Sequence, residues 1–227
     1  MSAAQPMSSA TGERPLRADA ERNRQRILAA AAEVFAERGL GVTLDDIARH
    51  AGVGVGTVYR RFPDKEQLID ALFEDRMAAL VALAEECLRD ADPWTGLSTF
   101  VERGLELQAA DRGLKDLVTC TAHGRERVSQ GRERLAPLVG RLVERGQAAG
   151  VVRPDIRHTD VALVHLMLGA AMDVTCGVRP DAWRRLLGLA LDGLRAAGAE
   201  PSALASPPLD EDELEAAMRT LPRRTRA

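Results

Sequence analysis

Aromatic side chains are scarce in this chain of 227 residues, at 3% of positions, although hydrophobic residues make up 45%. Strands built on Val, Ile, Thr and aromatic residues in period-two alternation are missing, which argues against a sheet. Cysteine is nearly absent too. Cys87, Cys120 and Cys176 are widely spaced and odd in number, so they make no disulfide framework and fit a reducing cytoplasm. The N-terminus lacks the apolar core of a secretory signal. No apolar run reaches the ~20 residues of a membrane span. The longest, 161–172, contains His165 and is followed by Asp173. These absences leave a soluble cytoplasmic protein with no membrane association.

Ala, Leu and Arg are abundant, and each loses little on entering a helix. The fold expected is all-α. The net charge is −3, unevenly spread. Residues 1–65 hold ten Lys and Arg against eight Asp and Glu, and the remainder holds twenty-one against twenty-six. A mildly basic head on an acidic body suits a module that faces phosphates, attached to one that does not.

Residues 1–18 read as a disordered arm. A first helix is predicted from about Asp19 to Arg38, with Ile27, Leu28, Ala31 and Phe35 at helical spacing and Gly39 as its stop. Arg22, Arg24 and Arg26 would lie in its first turns, either as a solvated face or near phosphates. Thr43 then caps a second helix, and Asp46 completes a box-like arrangement. Leu44, Ile47, Ala48 and Ala51 form its inward stripe, and Gly52 ends it. A short third helix covers about Val55 to Arg61. Two short helices joined by a tight turn containing glycine make a helix-turn-helix, whose second helix enters the major groove.

Residues 54–61 are therefore the candidate reading surface. Gly54 and Val55 open it, and Gly56 presents no side chain, so a groove wall can come close. Thr57 and Tyr59 can donate hydrogen bonds to phosphate oxygens. Arg60 and Arg61 suit guanine or phosphate. Val58 and Phe62 face inward as anchors. Gly52, Gly54 and Gly56 also spell a G-x-G-x-G run, but it follows a helix and lacks the spacing of a dinucleotide fingerprint.

The run TLDDIARHAGVGVGTVYRRFPDKEQL, residues 43–68, resembles the DNA-binding signature of the TetR family. With the first helix the likeness covers about residues 20–68. It departs at Gly54, where relatives often carry Ser, Thr or Asn as the helix cap. The resemblance implies that Lys65 reaches a phosphate from the start of the fourth helix, and that Thr43 joins Thr57 and Tyr59 in clamping the backbone. It implies a C-terminal helical domain for ligand binding and dimerisation behind a three-helix head, and a repressor that leaves its operator when a small molecule binds. No cofactor and no enzymatic activity are expected.

In the body, a helix is predicted from Asp64 to Arg89, another from Pro93 to about Ala110, and a long charged one from Arg125 to Ala149, interrupted or bent near Pro137. The late helices 159–177 and 181–197 differ. The first is apolar on nearly every side and the second carries a wide apolar stripe. Such helices need cover on both faces, either within one core or from a second subunit in a four-helix bundle about a two-fold axis. Small residues Gly169, Ala170, Gly188 and Gly193 would permit close approach.

Candidate pocket residues for an unidentified effector are Trp94, Cys120, His123, His165 and Met172, with Thr119, Thr121 and Asp173 as further polar interruptions. Cys120 and His123 have C-x-x-H spacing but no second pair, so no metal site is expected. As a thiol–imidazole pair they lack an orienting acid. The division expected is an arm at 1–18, a head at 19–63, a regulatory body at 64–198 and a tail at 199–227. The tail would hold a linker, a short acidic helix from about Asp210 to Thr220, and basic residues Arg223, Arg224 and Arg226. The partners expected are double-stranded operator DNA, the effector and a second copy of the chain. The alternative is a small-molecule sensor with little specific DNA binding.

Overall fold

The computed structural model describes residues 13–110, 122–198, 210 and 213. Eight α-helices lie among the described residues: α1 Glu13–Arg38, α2 Leu44–Ala51, α3 Val55–Arg61, α4 Lys65–Cys87, α5 Pro93–Ala110, α6 Ala122–Ala148, α7 His158–Thr175 and α8 Ala182–Leu194. The one extended pairing among the described residues is an isolated antiparallel bridge between Val152 and Arg195. The chain folds as two compact units divided within α4, between Phe73 and Glu74.

In the first unit α1 packs on α2, and α2 on α3. Ile27, Leu28, Ala31, Val34 and Phe35 of α1 are buried, as are Leu44, Ile47 and Ala48 of α2. Val58 and Phe62 are buried as the anchors of α3, and Leu68 and Leu72 of α4 are buried too. The helix α1 starts at Glu13, ahead of the expected Asp19, so residues 13–18 are not part of an arm. Pro15 is compatible with that start, because the first turn of a helix needs no N–H donors. Residues 1–12 lie outside the described residues.

The second unit is centred on Leu97, Phe100, Val101 and Leu105 of α5, a stripe at helical spacing. Val139, Leu142 and Val143 of α6, Val161, Leu168 and Met172 of α7, and Trp183 and Leu187 of α8 close round it. Pro137 sits inside α6, which continues through it as one element from Ala122 to Ala148. Two helix ends are tied down. Arg145 of α6 donates through Nη1 to Leu88 O and through Nη2 to Asp90 O, both at 2.6 Å, serving carbonyls past the end of α4. Arg184 of α8 reaches Glu102 at 3.1 Å and Glu106 at 2.7 Å, one turn apart on α5.

Of the expected close-approach glycines, Gly169 serves its own chain. A Cβ there would run into the Gln108 side-chain amide, on α5. Little of the tail can be followed. Asp210 and Glu213 are described, each accepting the other's main-chain N–H, at 2.8 and 3.0 Å, and Glu213 pairs with Arg179. The linker, the rest of the acidic helix and the basic residues lie outside the described residues. No helix among those described is long and apolar enough to cross a membrane.

Candidate DNA-binding interface

The first unit builds its exposed surface from the cap of α2 upward. Thr43 precedes α2 in extended conformation, and its Oγ1 accepts the Asp46 N–H at 3.2 Å. Asp46 returns the contact, its Oδ2 accepting from Thr43 N at 3.0 Å and from Thr43 Oγ1 at 2.7 Å. These bonds to the ionised form, the hydroxyl's first, hold the Asp46 carboxyl down to about 2. A hydroxyl has one proton to give. That of Thr43 goes to Asp46, so a phosphate would have to displace a carboxylate to receive it.

Gly52 closes α2 at φ 63°, the left-handed region that a side chain would strain, and its N–H returns to Ala48 and Arg49 carbonyls. Two long-range contacts fix α2 on α1. Arg26 Nη2 donates to Ala51 O at 3.0 Å, and His50 Nε2 lies 2.7 Å from Glu33 Oε2. Arg22 and Arg24 pair within α1, with Asp19 and Glu21. Because α1 begins at Glu13, these arginines sit in its middle and not in its first turns.

The helix α3 starts from Gly54, which is extended and provides no side-chain cap. The Thr57 N–H returns to the Gly54 carbonyl at 2.8 Å, and no side chain at Gly54 serves the amides ahead of it. Val58 is fully buried, while Val55 and Tyr59 are 42% and 45% exposed. Apolar surface of this kind on a short helix is available to a thymine methyl or a sugar face. A Cβ at Gly56 would meet nothing within 4 Å, so the approach there is open. Thr57 is half-buried. Arg60 and Arg61 are exposed and have no hydrogen-bond or ion-pair partner among the described residues. Lys65, half-buried at the start of α4, donates to Val42 O at 3.4 Å.

One neighbour was not legible in the sequence. The Asp45 carboxylate, as an acceptor and as a charge, pushes the Tyr59 phenol above its ordinary range. The acidic pair in the first turn of α2 is visible in the sequence. Its reach to α3 is a matter of how the two helices cross.

The candidate pocket residues fare differently. Met172 is buried in the core of the second unit, and Trp94 packs at its edge beneath the Arg195 guanidinium, 4.3 Å from the ring centre. His165 faces Phe100, with ring centres 5.8 Å apart, and its Nδ1 lies 3.1 Å from Val161 O. Burial pushes its pKa down, against the pull of the main chain at Val161 and Val101. Asp173 is exposed. Cys120, Thr119 and Thr121 lie outside the described residues, and of His123 only its place in α6 is described. No metal-binding cluster of His, Cys, Asp and Glu occurs among the described residues.

An apolar face remains on the second unit. Leu163, Leu166 and Met167 of α7 are 61%, 47% and 59% exposed, and Leu186 and Leu189 of α8 are 37% and 52% exposed. Leu163, Val164, Leu166 and Met167 line a shallow depression with Asp160 at its edge.

Comparison with known proteins matches both units. Residues 27–72 fit the family model for bacterial regulatory proteins of the tetR family, and residues 92–196 fit that for the C-terminal domain of SbtR-like transcriptional regulators. Among solved structures, the chain is similar to a TetR transcription regulatory protein from Mycobacterium vanbaalenii, with 36% identity and a TM-score of 0.64 over 80% of this chain and all of that one. It is also similar to a TetR transcriptional regulator from Streptomyces coelicolor, with 34% identity and a TM-score of 0.60 over 77% and 99% of the two chains. The fatty acid metabolism regulator protein of Bacillus subtilis is 26% identical over 66% of this chain and 79% of its own length.

Proposed function

The chain belongs to the TetR family of bacterial transcriptional regulators, DNA-binding proteins and not enzymes, and from that premise we propose a cytoplasmic repressor that binds a pseudopalindromic operator as a homodimer and leaves it when a small molecule binds. The observation that carries this reading is the outer face of α3. Val55, Tyr59, Arg60 and Arg61 are exposed on a helix anchored by Val58 and Phe62, with no acidic partner for either arginine among the described residues. Residues 54–61 enter the major groove. Arg60 or Arg61 reads base edges, and Thr57, Tyr59 and Lys65 set the register on phosphates. Thr43 acts first as a cap, and joins the phosphate contacts through its main chain or by exchanging Asp46 for DNA.

A monomer would read one half-site. The apolar face of α7 and α8 supports a two-fold pairing that places two such helices from each chain in a bundle. Half-site centres then lie about one helical turn apart, ~34–36 Å, or a multiple of it. Effector binding in the second unit is relayed through α4, the helix that both units share.

The test is selection of bound fragments from the source genome by the purified, ligand-free protein. Recovery of one or a few pseudopalindromic sites is the expected outcome. Recovery of only salt-sensitive, sequence-indifferent DNA would favour the second reading, a small-molecule sensor with little specific binding. The missing side-chain cap at Gly54 is what favours that reading, because an uncapped α3 is less pre-organised.

A further inference from the structure

Three arginines of α1, alike in the sequence, are told apart by what lies beside them. Arg26 Nη2 donates to Ala51 O at 3.0 Å and stands 3.5 Å from the place of a Cβ on Gly52. The face of α1 that carries Arg26 is therefore laid against the turn between α2 and α3. Arg22 is four residues earlier, on the same face and about 6 Å along the axis. Arg24, two residues from each, is turned to the other side of the helix. Its side chain is 20% exposed, against 68% for Arg22. Arg26 is spent on the turn and Arg24 is turned away, so Arg22 is the guanidinium held out in solvent beside the start of α3.

The N-terminal end of a recognition helix is the end aimed into the major groove, and the sugar–phosphate wall of that groove passes close to the turn before it. Among the described residues Arg22 is bonded to Asp19, three residues before it, and both side chains are mostly in solvent. An exposed pair of this kind holds its members weakly, and a guanidinium has more donors than one carboxylate oxygen uses. We propose that Arg22 is a further DNA contact outside the helix-turn-helix, its guanidinium taking a phosphate of the backbone that passes the start of α3. The inference rests on the DNA-binding reading of α3. The family model matched by the head begins at residue 27, so Arg22 lies ahead of it. A contact to the backbone carries no base information. It strengthens binding to every duplex alike and leaves sequence preference to Arg60 or Arg61.

The test is titration of the full-length protein with a random-sequence duplex and with the selected operator over a range of salt. Wild type is compared with Arg22→Gln, Arg22→Lys and, as a control, Lys65→Ala. Arg22→Gln should weaken binding to both duplexes by the same factor, roughly three- to tenfold at low salt, and lower the salt slope by about 1. Glutamine is a good helix former, so helicity should match the wild type. Arg22→Lys keeps the charge and should keep the slope. An unchanged affinity and slope in Arg22→Gln, with Lys65→Ala still lowering the slope, overturns the contact. So does a loss confined to the operator, which would make Arg22 a reader of bases. A slope lowered as far by Arg22→Lys as by Arg22→Gln would trace the loss to the folding of α1 and overturn it too. A wild-type protein that binds no duplex at any salt overturns the DNA-binding reading itself, and the Lys65→Ala control tells that failure apart.

Discussion

Arg60 and Arg61 close α3 with their charges unspent among the described residues, and Lys65 at the start of α4 donates to Val42 O. These cations do different work. A guanidinium fork fits a base edge in two places at once, while an ammonium on a flexible stem is a point charge for a phosphate. Arg60→Ala should relax sequence preference, at a cost of about 1–3 kcal/mol on the preferred operator and little on random duplex. Lys65→Ala should weaken all duplexes alike and lower the salt slope by about 1. A binding survey across operator variants and salt concentrations separates them, and unchanged affinity and preference in both would sink the assignment. Their residue types were legible in the sequence, because Arg60, Arg61 and Lys65 fall in a recognisable register. The effect of Asp45 on the Tyr59 phenol was not, since the two lie on different helices.

At the scale of the element, α2 shows how a cap carries both stability and pH dependence. Thr43→Ala removes the hydroxyl that accepts from Asp46 N and should cost about 1 kcal/mol in urea unfolding. Asp46 is an acid with a lowered folded-state pKa, so its contribution is present above its unfolded value and is lost on acidification. The stability gap between wild type and Asp46→Asn should therefore be full above pH 3.8 and should close as the pH falls through about 2. A gap that stays constant through that window would show that the cap does not depend on the carboxylate. The approach of α5 to α4 gives a second test. A Cβ on Gly96 would stand 2.6 Å from the Cys87 carbonyl oxygen, a main-chain atom that cannot rotate away. Gly96→Ala should thus destabilise by about 1–3 kcal/mol, outweighing the ~1 kcal/mol that alanine otherwise brings to a helix. Gly169→Ala should cost less, because the atom it meets is the end of the Gln108 side chain.

Helix spans were largely legible because the apolar spacing and the stops at Gly39 and Gly52 are local. The start of α1 was not. Its first turn contains Pro15, which a helix start accepts, but lacks the apolar stripe by which the rest of the helix is read.

For the whole molecule, the question is what covers α7 and α8. Leu163, Leu166, Met167, Leu186 and Leu189 are large, apolar and exposed in the single chain. Leu163→Glu with Leu189→Glu should leave helicity intact, since both side chains are already in solvent, and should shift sedimentation from dimer to monomer. Operator affinity should fall with it, as two linked half-sites become one. A double variant that sediments as a dimer would move the interface elsewhere.

By itself the sequence determined the helical class, the spans of α2 and α3, the capping box at Thr43 and the likeness that identifies the head, because all of these rest on neighbours within a few turns. Tertiary structure decided that Gly169 serves α5 within its own chain and that Trp94 lies beneath Arg195. It also decided that the Thr43 hydroxyl is already engaged by Asp46. The reason is physical. Local spacing fixes which face of a helix is apolar, but the partner of a polar side chain depends on how distant helices cross, and the sequence carries no direct record of that angle.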